Sequence, residues 1–583
     1  MARRSLVRFY FIALLFPVLF LISSAGEMPD GGNFFTLFDD AMISMTYGRT
    51  LSETGELVWF PGALRVQGFT NPGWTLYIAL LHELGLRGSS AALAVSLTSI
   101  FFIYGLSFLA AKIVLNVFRD STLGEIVGRG VAITALLLFP LTFWSVRGME
   151  VGALSFLTMV FFWGFLRLET SLTHRRWIAL TQAIALAAGI LIRIDICVLS
   201  LIGLLAVYFL ADDRSRLRKV FLADILLIFG TVGLVLLLQH HYYGEALPNT
   251  FTLKLGGYSL QDRLIRGFRA ARTVSLPVTL VVTSCLMTLS EVDGRRARVV
   301  LSSGAIFLAS LSYSTWVGGD AWEWNKLANR YVSVGLPFAV ICIFLGLINF
   351  FEQSQNIRRR SLLYGFFAVA SVVQYYAVAS DNARRGAIAV IGLSALIAYF
   401  VIKIIKWMPT DPREVVRHLM GLVVVSTSLL GLIDWLATGG THVYDDFSVT
   451  QNAFDIGQLT SEDAVIATVW AGAPGYYSER RMIDLLGKND REIATLPPRG
   501  EMYPGHNKWN YTHSILKLKP DMIFQTWRAT AEDFKDFEQW GYVPRCYGLN
   551  GRGFFLTGSE NIRWEKLRDC GAHEPVHPLF MIG

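Results

Sequence analysis

The sequence predicts an α-helical polytopic membrane protein of about 13 transmembrane helices, followed by a C-terminal α/β domain. Three observations carry this. Of the 583 residues, 53% are hydrophobic, and the mean hydropathy is +0.45. The apolar residues fall into blocks of about bilayer-spanning length, separated by short polar joints. After residue 436 the chain turns polar for long enough to hold a small domain of its own.

The first block, "LVRFYFIALLFPVLFLISSA", follows Arg3 and Arg4 and lacks a small-x-small cleavage site. It reads as a retained helix over 7–24 rather than a signal peptide. "NPGWTLYIALLHELGL" is short for a crossing and reads as a helix over 71–87 lying in the membrane interface. The alternative is a short true span, which would reverse the side of everything after it. Further spans are expected at 91–110, 128–146, 149–166, 178–193, 196–211, 220–239, 274–290, 299–316, 331–350, 361–379, 386–405 and 418–436. The arginine-rich joints "THRRW", "DDRSRLRK", "DGRRAR", "IRRR" and "DPREVVRH" then share the inner side with the N-terminus, as the positive-inside rule requires. "DNARR" (381–385) falls on the outer side against that rule. Membrane anchoring thus accounts for the net charge of +7, and nothing in the chain argues for nucleic acid.

The expected organisation is a membrane module over 1–436, with a first outer loop at 25–90, and an outer domain over 437–583. In the latter, "DAVIATV", "RMIDLLG" and "DMIFQTW" read as strands and "WAGAPGYYSE" as a turn. Cys197, Cys285 and Cys342 lie in or beside apolar spans and read as small core residues. Cys546 and Cys570 lie in the tail and are candidates for a disulfide if it faces an oxidising compartment.

Chemistry collects at the outer joints, which are rich in acidic, aromatic and glycine residues. "FFTLFDDAMISMTYGRT" sets Asp39 beside Asp40 just after the first helix. One aspartate there is expected to cap the helix that follows. Two adjacent carboxylates disfavour joint ionisation, which suits a general base or a cation site. Glu53, Trp59, Arg65, Asn71 and Trp74 in the same loop combine carboxylate, amide and indole groups suited to a sugar or acceptor. Glu150 in "SVRGME" and Asp320 in "WVGGDAWEWNKLANR" join them. Arg193 of "RID", Lys254, Lys326 and Arg330 are candidates for cradling a lipid phosphate, whose charge a fixed cation neutralises. Ion pairs between helices and snorkelling are the plain structural readings of the same residues.

The segment "FDDAMISMTYGRTLSETGELVWFPGALRVQGFTNPGW" resembles the first outer loop of polyprenyl-phosphate-sugar-dependent membrane glycosyltransferases of the GT-C fold. It is most similar in look to the arabinofuranosyltransferase branch that includes mycobacterial cell-wall enzymes. The resemblance continues through "WSVRGME", "LIRID", "YYGEALPNTFTLKLG", "YSTWVGGDAWEWNKLANRYVSVGLP", "WAGAPGYYSERRMIDLLGKND" and "YPGHNKW". It implies an inverting transfer of a sugar, D-arabinofuranose as first guess, from an undecaprenyl- or decaprenyl-type phosphate. The acceptor would be a cell-envelope glycan, a lipid-linked glycan or a protein at the periplasmic face of a bacterial inner membrane. An acidic residue of the first loop serves the family as base, which implies Asp39 or Asp40. Asp39 is preferred, with Asp40 orienting the acceptor or a divalent cation (Mg2+, Mn2+ or Ca2+). Many relatives carry Asp-Glu where this chain has Asp-Asp. A hexosyltransferase of the same fold and a transporter of polyprenyl-linked sugars are the alternatives.

Overall fold

The computed structural model describes residues 2–27, 33–118, 121–171, 173–289, 294–323, 327–353, 431–432, 435–436, 440–548 and 551–570. Helix α1 (Ala2–Ser23) leads into a short antiparallel pair, β1 (Gly26–Glu27) and β2 (Asn33–Phe34). Two helices follow, α2 (Asp39–Thr54) and α3 (Pro72–Glu83). The expected aspartate cap is not what forms. Phe38 is the N-cap residue of α2 and makes no side-chain cap, while Asp39 and Asp40 occupy the first turn, where the helix dipole favours carboxylates. The helix closes at Gly55, whose φ of 75° a side chain would strain.

At 12 residues α3 is about 18 Å long, well short of a hydrocarbon core of about 30 Å. It is also shorter than the expected 71–87. Trp74, Ile78, Leu81 and His82 are buried, whereas Leu76 and Leu80 are exposed and continue into exposed Leu84. That i, i+4, i+8 apolar stripe suits a helix resting along a membrane surface.

The bundle proper comprises α4 (Gly88–Leu115), α5 (Ser121–Leu136), α6 (Phe139–Val146), α7 (Val151–Thr170), α8 (Arg175–Ile192), α9 (Ile196–Phe209) and α10 (Arg214–Tyr243). It continues with α11 (Asn249–Leu255), α12 (Leu260–Ala271), α13 (Ser275–Leu289), α14 (Gly294–Val317) and α15 (Arg330–Gln353). Among the described residues seven helices are long and apolar enough to cross a membrane. The expected span 128–146 is broken, because α5 and α6 meet at 49° where Pro140 starts a new helix. The expected 274–290 extends back to Leu260, since α12 runs on into α13 through one 3-10 turn. Spans expected at 361–379 and 386–405, and most of 418–436, lie outside the described residues.

Helix α16 (Gly440–Leu459) leads to the C-terminal sheet domain. Its strands are β3 (Val465–Thr468), β4 (Arg481–Asp484), β5 (Met522–Ile523), β6 (Tyr542–Tyr547) and β7 (Gly551–Leu556), in the order β4-β3-β5-β7-β6. β3 pairs in parallel with β4 and β5, and the β7 side is antiparallel. The three expected strands are thus present, and β6 and β7 add a hairpin that the sequence reading lacked. "WAGAPGYYSE" is helical, not a turn, over α17 (Ala473–Ser478). The domain also holds two short α-helices, α18 (Arg491–Thr495) and α19 (Ala531–Gln539), a π-helical segment (Thr512–Lys517) and a 3-10 turn (Trp564–Lys566), and Cys546 is disulfide-bonded to Cys570.

One buried ion pair fastens the bundle to the chain entering this domain. Arg147, in the joint between α6 and α7, meets Asp446 of α16 at 2.5 Å, and both side chains are almost fully buried. Arg147 also donates to the Thr36 carbonyl at 2.8 Å. Gly148, at φ 93°, turns the joint so that its carbonyl accepts the Trp74 indole N–H at 2.9 Å. Removing one partner leaves a bare charge in an apolar setting. Arg147→Met or Asp446→Leu should therefore cost about 3–5 kcal/mol, and the double substitution less than their sum. Denaturation of the purified protein in detergent, run as a double-mutant cycle, measures both.

Candidate active site

Asp39 and Asp40 are neighbours in sequence, yet α2 turns them towards different surroundings. Successive residues of a helix point about 100° apart. Asp39 is 3% exposed and faces the C-terminal domain. Its Oδ1 accepts the backbone N–H groups of Gly472 at 3.0 Å and Ala473 at 2.9 Å. Gly472 is required for this approach, because a Cβ there would stand 2.1 Å from the Asp39 carbonyl oxygen. Among the described residues Oδ2 of Asp39 makes no hydrogen bond. Asp40 lies between the sheet domain and the bundle and is held at both oxygens, by Lys488 Nζ at 2.8 Å and by Arg330 Nη1 at 2.9 Å. Arg330, the first residue of α15, also pairs with Asp320 at 2.8 Å.

These surroundings push the two carboxyls apart. Burial raises Asp39 to about 6, with Asp40 adding repulsion and Lys488 and the two backbone N–H groups opposing. Burial acts upward on Asp40 too, but Lys488, Arg330 and Lys254 outweigh it and hold Asp40 well below the usual carboxylate range. Near neutral pH both are ionised, and Asp39 alone is poised to take up a proton.

Asp39 opens on a pocket lined by Trp322, Val469, Trp470, Lys488, Tyr503, His506 and Trp527. Most of this lining comes from the carboxyl ends of the parallel strands. Val469 and Trp470 follow β3, Lys488 lies just beyond β4 and Trp527 just beyond β5. That is the edge at which open α/β sheets bind ligands. The Lys488 turn is fixed by Asp484, which accepts the N–H groups of Leu486, Gly487 and Asn489, and by Asn249, whose amide donates to the Gly487 and Lys488 carbonyls. Gln525 holds the β3 turn by accepting from the N–H groups of Val469 and Trp470.

His506 packs between Tyr503 and Trp527, at ring distances of 4.8 and 5.2 Å. Its Nδ1–H donates to the Pro504 carbonyl at 2.9 Å, leaving the Nε2 lone pair as an acceptor. Burial, then Lys488, lowers its pKa to about 4, so the ring is neutral at physiological pH.

Most of the other residues read from the sequence as ligand contacts are committed to structural partners instead. Asn71 takes the Ser44 hydroxyl on Oδ1 and donates to Glu150 at 2.7 Å, and Glu150 binds Arg193 at 2.6 Å. Arg193 is completed by Asp195 at 2.9 Å, so two carboxylates already neutralise the guanidinium expected at a lipid phosphate. Trp59 and Trp74 are buried and spend their indole N–H groups on the Ala471 and Gly148 carbonyls. Glu53 lies between Arg49 and Arg87, and Arg65 pairs with Glu56 over the Tyr242 ring. Asp320 and Arg330 do reach the site, but bound to each other. Lys254 acts electrostatically on Asp40, Asp320 and His506 and, among the described residues, forms no hydrogen bond or ion pair. Lys326 lies outside the described residues.

A divalent cation finds no fit at Asp40. Both its oxygens face fixed cations, and among the described residues no group of three or more His, Cys, Asp or Glu side chains is placed to hold a metal. Trp322, Val469, Trp470, Lys488, Tyr503, His506 and Trp527 are the lining residues that reading the sequence missed. Their neighbourhoods were marked only as segments: "WVGGDAWEWNKLANR", "DAVIATV", "WAGAPGYYSE", "LLGKND", "YPGHNKW" and "DMIFQTW".

A family described as a domain of unknown function, DUF8728, matches residues 447–562, which include Val469, Trp470, Lys488, Tyr503, His506 and Trp527 of this lining. Comparison with curated protein sequences gives no match. Among solved structures, ArnT from Cupriavidus metallidurans bound to undecaprenyl phosphate is 13% identical. It aligns over 96% of this chain and 99% of its own, with a TM-score of 0.56. The apo form of the same protein is 14% identical over 95% and 98%, with a TM-score of 0.54. Arabinosyltransferase EmbB from Mycobacterium smegmatis is 15% identical over 78% of this chain and 43% of its own, at a TM-score of 0.45, too low to establish a shared fold. The chain has the GT-C fold of a polytopic membrane protein with a C-terminal sheet domain.

Proposed function

We propose that this chain is an inverting glycosyltransferase. It moves one sugar from a polyprenyl phosphate to a hydroxyl of a cell-envelope glycan, a lipid-linked glycan or a protein. The observation that carries this reading is a carboxylate raised to about 6, Asp39, facing an aromatic pocket beside a second carboxylate fixed in its ionised form. The aromatic walls suit the C–H faces of a sugar ring, and the His506 lone pair suits one of its hydroxyls. Undecaprenyl phosphate in the similarly folded ArnT supports a polyprenyl carrier. The resemblance of the first loop supports D-arabinofuranose as the sugar, and the Cys546–Cys570 disulfide favours an outward-facing tail in an oxidising compartment.

Asp39 takes the proton of the acceptor hydroxyl as its oxygen forms a bond to the anomeric carbon. The bond from that carbon to the phosphate oxygen breaks on the opposite face, and the phosphate leaves with the electron pair. Charge balances within the site. Asp39 gains a proton, and so loses its negative charge, as the departing phosphate gains one. Among the described residues Lys254 is a cation free to meet that charge, since Lys488 and Arg330 remain on Asp40.

Asp39→Asn tests the base directly. The amide oxygen still accepts from Gly472 and Ala473, so folding and donor binding should persist while kcat falls about 10²- to 10⁴-fold. Transfer to a soluble acceptor, followed by mass spectrometry with purified enzyme, measures this; near-normal turnover would remove Asp39 from the role. The pH profile gives a second check. A base must be ionised, so kcat/KM should fall as pH drops through about 6. Lys488 lowers the Asp39 pKa, so Lys488→Met should move that acidic limb to higher pH.

A further inference from the structure

The opposite end of the bundle carries a second polar cavity, where α4 and α7 finish and α14 begins. It is lined by Asn116, Trp163, Arg167, Glu169, Thr170, Arg295 and Arg298, with apolar side chains behind them. The acid among these is already committed. Glu169 is in contact with Arg298, and its other oxygen accepts the Asp212 N–H at 2.9 Å. Arg298 is further held by Asp212 at 2.6 Å and donates to the Leu210 carbonyl.

Arg167 and Arg295 differ from these. Among the described residues neither guanidinium forms a hydrogen bond or an ion pair, although Nε of Arg167 is buried. The Trp163 indole N–H is likewise buried without an acceptor. Arg295 is exposed at the rim, as snorkelling allows, but snorkelling does not account for the buried Nε of Arg167 or the buried Trp163 N–H, which water does not reach. Two cations and an indole donor around one cavity have the composition of an anion site. The first turn of α14, a 24-residue helix, adds its positive dipole end.

The position of the cavity identifies the anion. Helix α7 has 20 residues, so Glu150 at one end and Thr170 at the other lie about 30 Å apart, the thickness of a hydrocarbon core. The cavity therefore sits at head-group level in the leaflet opposite Asp39. We propose that it binds the phosphate group of an anionic phospholipid, held by Arg167 and Arg295 with Trp163 as a further donor. Basic pockets between transmembrane helices are suited to such head groups. The site is separate from the candidate active site and does not depend on the function proposed for it.

Native mass spectrometry of the full-length protein in detergent tests this, with dioctanoyl phosphatidylglycerol, dioctanoyl phosphatidylcholine and inorganic phosphate as probes. Saturable binding of the glycerol lipid is expected, with the choline lipid much weaker. Binding should be about tenfold or more weaker in an Arg167→Gln/Arg295→Gln variant. Displacement of the lipid by millimolar inorganic phosphate would support the site with a free anion as its ligand; resistance to it supports the lipid. If the double variant does not fold, Arg295→Gln alone, at the exposed rim, replaces it. Equal binding of phosphatidylglycerol by wild type and variant, or equal binding of the two lipids, would overturn the proposal.

Discussion

Asp40 binds Lys488 on one side and Arg330 on the other, and the candidate site depends on this junction. It joins the first turn of α2, the start of α15 and the turn beyond β4, three elements far apart in sequence. Each charge is buried, with Asp40 13% exposed and its partners less, so none is tolerable alone. The desolvation cost is offset only when all three meet. Closure of the sheet domain over the bundle is thereby coupled to the geometry of one carboxylate. Asp320 extends the same network along Arg330, so the tryptophan-rich joint before α15 is drawn in with it.

The same junction makes the adjacent aspartates unequal. Asp40 keeps its charge because cations surround it, and its fixed negative charge then acts on Asp39. Among the described residues Asp39 meets no cation in direct contact; two backbone N–H groups hold one oxygen and leave the other to the pocket. Burial is the largest influence on both groups, but only for Asp40 do opposing charges overcome it. One helical position, about 100° of rotation, separates a structural carboxylate from one able to exchange a proton.

The first loop serves this arrangement mainly as scaffold. Tyr47 donates to the Val66 carbonyl, Trp59 to that of Ala471 and Arg49 to that of Tyr476. These contacts fix α2 between the bundle and the sheet domain. The Asn71–Glu150–Arg193–Asp195 chain does the same on the bundle side. Side chains that look ligand-like in a list of residue types are consumed in building the wall behind the pocket. A buried indole or amide must satisfy its donors somewhere, and the nearest carbonyls and carboxylates belong to the protein.

The apolar blocks, the polar tail, the three strands around "DAVIATV", "RMIDLLG" and "DMIFQTW", and the prominence of Asp39 and Asp40 were all legible in the sequence. Each rests on local information: the length of an apolar run, the residue types in a strand, two like charges side by side. What the linear chain could not supply was which aspartate keeps its charge, because Lys488 lies 448 positions beyond Asp40. Nor could it show that Arg193 is already neutralised, or that Trp470, Tyr503, His506 and Trp527 converge on one strand edge. Those properties are set by burial and by partners distant in sequence, and both come into being only when the sheet domain closes on α2. The sequence alone determined a membrane bundle with an acidic pair beside it. The tertiary structure decided which acid titrates and what it faces, since a carboxyl's pKa follows its desolvation and neighbouring charges.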